Sequence, residues 1–224
     1  MRIRPISPER LVTELSDRLA EQAARLERPD QPAAVPPGRL RVGVDGPGAA
    51  RPDELAAALV DPLRARGRPV LHVRAENFLR PASVRLEHGR TNPDAYYLGW
   101  VDEAGLRREV LDPAGPGGTG HLLPSLWDAA ADRASRATYV ELPPGGVLLV
   151  SGPLLLGGGL PFDVTVHLVL SPAALRRRTD AEQLWTLPAF DRYATEVDPA
   201  SFADVVVRVD DPRHPALVED ARPA

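Results

Sequence analysis

The chain contains no cysteine and no lysine. Without a thiol it forms no disulfide, uses no cysteine nucleophile and binds no zinc through thiolates. Without lysine, all 27 basic residues are arginine, so no ammonium group clamps a phosphate or forms a Schiff base. The richness in Ala, Gly, Pro and Arg fits a GC-rich coding sequence, and the chemical consequence holds whatever its origin. No run approaches the roughly 20 apolar residues of a membrane span, and the opening MRIRPISPERL lacks an apolar signal core. No membrane partner is expected, and the cytoplasm is the default location. A formal net charge of -4 supplies no general attraction to nucleic acid or to an anionic membrane surface. What is present suits a globular chain: 43% hydrophobic residues over 224 positions support one sizeable core rather than two.

Residues 7–26 space Leu11, Leu15, Leu19 and Leu26 among charges, with Ser7 and Pro8 as cap and first turn, and predict an amphipathic helix. Residues 28–38 read as a proline-rich linker. Strands are predicted at 40–46, 69–75, 146–151, 164–170 and 203–209, with an edge strand at 137–142. Helices are predicted at 53–66, at 103–111 and from 172 to 178. Residues 80–99 read as polar and irregular, with at most a helical turn at 81–88, and the closing VEDARPA reads as a loose tail. Continuously apolar strands alternating with helices predict an α/β fold, a mostly parallel sheet covered on both faces. The predicted units are an N-terminal helix and linker (1–38), a main domain (39–212) and a C-terminal tail (213–224).

A strand, a glycine-containing turn and a helix start in series form the frame of a phosphate site, because backbone N–H groups and the helix dipole favour an anion there. The phosphate-loop pattern G-x-x-x-x-G-K-[ST] needs glycines for the wrap, lysine on the phosphates and a hydroxyl on magnesium. Here the frame reads Gly46-Pro47-Gly48-Ala49-Ala50-Arg51-Pro52-Asp53. Arg51 stands for the second glycine, Pro52 for lysine and Asp53 for the hydroxyl residue. Pro52 removes both a cation and an N–H donor. A carboxylate about 4 Å from a phosphate charge costs roughly 1–4 kcal/mol at effective dielectrics of 80 to 20. Two readings stay open. In one, ARPDEL is a well-capped helix start that binds nothing. In the other, Arg51 takes over the phosphate contact while Asp53 holds a metal. Asp45, Gly46, Gly48, Arg51 and Asp53 are the candidate remnants of the loop.

The five histidines show no metal-ligand spacing, and His121, in a Gly-rich loop, is the one to watch. LLVSGP around Ser151 is not a nucleophile elbow, and Arg51 breaks the dinucleotide fingerprint at its third glycine.

Taken in order, RVGVDGPGAA, VRAENFLRP, HGRTNPDAYYLGWVD, VLDPAGPGG, LPPGGVLLVSGPLLL and RYATEVDPASFADVVV with its following DDP resemble the uridine kinase and phosphoribulokinase-like group of P-loop kinases. They run from about Leu40 to Pro212, and their order and spacing carry the resemblance more than any one segment. It implies a three-layer fold, with nucleoside on one side, ATP on the other and magnesium between. Glu76 falls where such kinases carry the base that accepts the hydroxyl proton, and Arg80 follows in the same loop. Arg90 is placed to pair a phosphate or carboxylate. Tyr96 and Tyr97 either stack on a base or fill core. Arg176, Arg177 and Arg178 resemble the start of the arginine-bearing lid. The chain departs from the pattern at Gly99 and Ser151, each standing where the family has an acid.

With the lysine, the loop hydroxyl and the strand acid all altered, the favoured expectation is a pseudokinase that binds a ligand or a protein partner, with no cofactor. The ligand would be a nucleoside, nucleotide or sugar phosphate, held between the loop after the second strand and the HGRTNPDAYY segment. The alternatives are an active phosphotransferase using ATP, magnesium, Arg51, Glu76 and the lid arginines, and an ATP-independent enzyme in the inherited pocket.

Overall fold

The computed structural model describes residues 2–26 and 38–219. The segment predicted as a linker therefore lies almost wholly outside the described residues. The strands are β1 (Arg2–Pro5), β2 (Leu40–Asp45), β3 (Val70–Arg74), β4 (His121–Leu122), β5 (Trp127–Asp128), β6 (Arg133–Ala134), β7 (Val140–Glu141), β8 (Val147–Gly152), β9 (Val164–Val169), β10 (Val205–Arg208) and β11 (Ala216–Glu219). The helices are α1 (Pro8–Leu26), α2 (Pro52–Ala65), α3 (Ala82–Arg85), α4 (Pro93–Gly99), α5 (Glu103–Leu106), α6 (Asp112–Ala114), α7 (Pro172–Arg178) and α8 (Leu187–Glu196).

Seven strands form the main sheet in the order β1-β11-β10-β9-β2-β8-β3. The five from β10 to β3 run parallel, and β11 and β1 add antiparallel at one edge. Alternation along β8 explains why its sequence is apolar throughout. Val147 and Leu149 face one core, while Leu148 and Val150 face the other. The first core receives Leu11, Leu15 and Leu19 of α1 and Leu59 and Leu63 of α2. The second receives Phe78, Leu106, Val110 and Leu111 from the segment between β3 and β8.

Several expectations change. Residues 216–219, placed by the sequence in the C-terminal tail (213–224) and overlapping the start of VEDARPA, are β11, which pairs with both β10 and β1. Its short length hides it in sequence, and its stability comes from being sandwiched between two partners. The predicted edge strand at 137–142 shrinks to β7, which pairs with β4 in a separate two-stranded ribbon. Residues 80–99 are not irregular throughout: Asn92 caps α4 by accepting the Ala95 N–H at 2.9 Å, and Pro93 takes the first helical position. Helix α8 was not predicted at all.

Candidate functional site

β2, β3 and β8 end side by side at Asp45, Arg74 and Gly152, and the loops leaving them meet in one cleft. Carboxyl ends of parallel strands are where open α/β sheets place ligands. The loop after β2 is tightly self-bonded. Gly46 N–H donates to Gly152 O at 3.2 Å, Ala50 N–H to Pro47 O at 2.7 Å, and Arg51 N–H to Gly48 O at 2.9 Å. A Cβ on Gly46 would lie 2.9 Å from Leu168, so this close approach requires glycine. Arg51 sits in the left-handed region (φ 61, ψ 52), a conformation that disfavours a side chain, and Pro52 begins α2 directly after it.

The acids at the start of α2 are already engaged. Asp53 accepts Arg74 Nε–H at 3.0 Å and also the Ser151 hydroxyl, while Ser151 Oγ lies 2.8 Å from His72 Nε2. Arg74 also pairs with Glu76 at 2.8 Å, and Arg51 with Glu54 at 3.3 Å. Because Ser151 gives its proton to Asp53, it accepts from His72, which places a proton on Nε2. Burial holds the His72 imidazole below its ordinary value; the Asp53 charge opposes that and the Arg74 charge adds to it.

Between these groups and α4 lies a cavity of about 440 Å³. Arg51, Asp53, Glu76, Tyr96, Tyr97 and Trp100 are among its walls, together with Leu79, Val101 and Glu103. Tyr96 packs edge-on against Trp100, Trp185 and Phe190, with ring centroids 5.1, 5.6 and 6.0 Å away. Burial, and then the negative charge of Asp45, push its phenol up to about 12. The Tyr97 ring is covered by the Arg192 guanidinium at 4.5 Å, and its hydroxyl donates to Glu196 at 3.3 Å.

A second cavity, of about 510 Å³, lies across the loop, with Gly48, Arg51 and Tyr96 shared between the two. Of the three arginines expected to start the lid, Arg178 lines it, while Arg176 and Arg177 do not and are exposed. Burial, and then the Arg51 charge, lower Arg178, whose guanidinium donates to Val209 O.

The structure thus brings Gly48, Arg51, Asp53, Glu76, Tyr96 and Tyr97 to one cleft. Arg80 is outside the lining, with its N–H on Trp100 O at 2.9 Å and its carbonyl accepting Arg85 Nε–H at 2.6 Å. Arg90 is exposed and also outside. Asp45 is fully buried and serves the scaffold. It accepts His167 Nδ1–H at 2.7 Å, Tyr193 O–H at 3.1 Å and Leu155 N–H at 2.9 Å. Of the three arginines expected to start the lid, only Arg178 lines a cavity; sequence reading missed Trp100 and Glu103 as lining residues. Only their adjacency to motif segments could have marked them, because the loops that carry them meet through the sheet.

This α/β fold with its mostly parallel sheet is shared by solved structures of P-loop kinase-like fold. A possible uridine kinase from Bacillus stearothermophilus aligns at 22% identity, over 86% of this chain and 98% of its own, with a TM-score of 0.62. The YGR205w protein aligns at 10% identity over 96% and 100%, with a TM-score of 0.59. The D-glycerate 3-kinase from Cryptococcus neoformans aligns at 16% identity over 86% and 81%, with a TM-score of 0.51. At these identities the likeness is one of fold. No family model and no curated protein sequence matches the chain. Among the described residues, no helix is long and apolar enough to cross a membrane, and no group of three or more His, Asp or Glu is arranged to hold a metal ion.

Proposed function

We propose that the chain binds a nucleoside of the uridine type in the cleft between the loop after β3 and helix α4, without transferring a phosphoryl group from ATP. The observation that carries this reading is the bonding of the loop after β2. Of residues 46–52, Pro47 and Pro52 have no N–H, and Gly46, Ala50 and Arg51 have given theirs to backbone carbonyls. Ahead of α2 at most Gly48 and Ala49 remain to cradle a phosphate, and the free N–H groups of the first turn belong to Asp53 and Glu54, whose carboxylates repel one. Asp53, at the hydroxyl position, is held by Arg74 and Ser151. These residues do not fit a magnesium triphosphate. On the other side, a cavity of about 440 Å³ with aromatic walls has a size and lining suited to a small ring compound. The name of the structural neighbour from Bacillus supplies uridine as the first probe.

Calorimetric and thermal-shift titrations test the reading. Uridine should bind, and saturation at 100 times the dissociation constant should add about 2.7 kcal/mol to stability. Millimolar MgATP should leave the melting temperature unchanged. Binding of MgATP, or binding of uridine that survives mutation of the cleft, would overturn it.

A second reading retains catalysis through a rebuilt phosphate site. The presence of two guanidinium groups, Arg51 and Arg178, on one cavity favours it. Its mark is uridine-dependent ATP turnover abolished by Arg51→Ala.

A further inference from the structure

Among the described residues, six charged side chains line the 440 Å³ cavity, and five of them are paired: Arg51 with Glu54, and Arg74 with both Asp53 and Glu76. The sixth is Glu103. It has no hydrogen bond and no ion pair among the described residues, although the Arg80 charge acts on it. Burial holds its carboxyl above the ordinary value. Its position is built into the fold. Asp102 starts α5 by accepting the Gly105 N–H at 2.9 Å, which makes Glu103 the first helical residue. The carboxylate then rests on Gly158, where a Cβ would come within 2.8 Å of Oε2. Tyr96, on the same cavity, likewise has no hydrogen bond from its hydroxyl among the described residues.

A half-buried carboxylate with no hydrogen-bond donor among the described residues is costly to keep, and an unsatisfied group on a cavity wall calls for a ligand that satisfies it. Leu79, Val101 and Trp100 line the same cavity as Glu103 and give it apolar and aromatic surface. That lining suits a flat ring with a donor on its edge.

We propose that Glu103 is a specificity-determining residue of the cleft, accepting a ring N–H from the heterocycle of the bound nucleoside, with Tyr96 O–H offered to a neighbouring ring carbonyl. This rests on the nucleoside-binding reading above. In uridine the donor is the ring N3–H, which lies between two carbonyl acceptors. Selection works by exclusion as well as attraction: a ring with a methyl group or a bare acceptor at that edge leaves the carboxylate unpaired.

The test is calorimetric titration of the full chain with uridine and with 3-methyluridine, in which a methyl group replaces the N3 hydrogen. The wild type should bind uridine about tenfold or more tightly than the methylated compound, the size of a lost hydrogen bond to a charged group. Glu103→Met, similar in size but with no acceptor, should bring the two affinities together. Glu103→Gln, which keeps a neutral acceptor, should retain part of the preference. Equal binding of both compounds by the wild type, or unchanged preference in Glu103→Met, overturns the role of Glu103 and leaves nucleoside binding standing. Failure of uridine to bind at all overturns the nucleoside reading itself, and this role with it.

Discussion

Arg74 Nε lies 3.0 Å from Asp53 Oδ2, and the same guanidinium reaches Glu76 at 2.8 Å. One cation on β3 thus neutralises an acid at the start of α2 and the acid expected to act as base. Both Asp53 and Arg74 remain partly open to solvent, at 34% and 46% exposure, so the pair is worth little on its own. Arg74→Ala and Asp53→Asn should each cost about 0.5–1 kcal/mol in urea unfolding. Their double mutant should cost less than the sum, because they share one contact. Strict additivity would show that the ion pair contributes nothing.

Arg51 holds a left-handed backbone conformation with an ordinary side chain. Such a position costs about 1–2 kcal/mol for a residue with a Cβ and nothing for glycine. Part of the gain is offset by the greater freedom of glycine in the unfolded chain. Arg51→Gly should therefore raise stability by about 0.5–1 kcal/mol, and the exposed pair with Glu54 is too weak to reverse this. A destabilised Arg51→Gly would mean that the arginine side chain holds the loop.

Asp45 accepts three hydrogen bonds in full burial, tying β2 to β9, to α8 and to the loop after β8. Burial and this carboxylate together raise the Tyr193 phenol. Asp45→Ala leaves His167, Tyr193 and the Leu155 N–H without an acceptor and should cost about 3–5 kcal/mol. Asp45→Asn keeps one acceptor oxygen and should cost less. Chemical denaturation measures both, and near-neutral behaviour of the alanine variant would contradict the anchoring role.

The carboxyl of Glu103 is raised in the folded chain above its ordinary 4.5. Between the unfolded and the raised value the native state binds more protons, so stability falls as pH rises through that window and stays lower at pH 7. Glu103→Gln should accordingly melt higher than wild type at pH 7, and the difference should close below about pH 4, where the carboxyl is protonated in both states. A melting difference that does not change with pH would remove the electrostatic cause.

Much of this chain was legible in its sequence. Apolar runs such as 147–150 mark strands buried on both faces, because any single polar side chain there would face a core. Leu11, Leu15 and Leu19 mark α1 because helical spacing puts them on one stripe. The absence of lysine, and proline at position 52, are chemical facts needing no coordinates. Glu76, Tyr96 and Tyr97 could be placed near a cleft because the loops that leave parallel strands at their carboxyl ends converge. Tertiary structure alone decided the rest. It turned Asp45 inward, since the even positions of β2 face α1 and α2 while Asp45 faces His167 and Tyr193. It put Arg178 rather than Arg176 or Arg177 on the second cavity, because one turn of α7 presents only part of its surface to the loop. It paired Arg74 with acids 21 and 2 residues away. Among the described residues it left Glu103 without an ion pair on the cavity wall: whether a charge finds a partner depends on which loops meet across the sheet, and no local pattern records that.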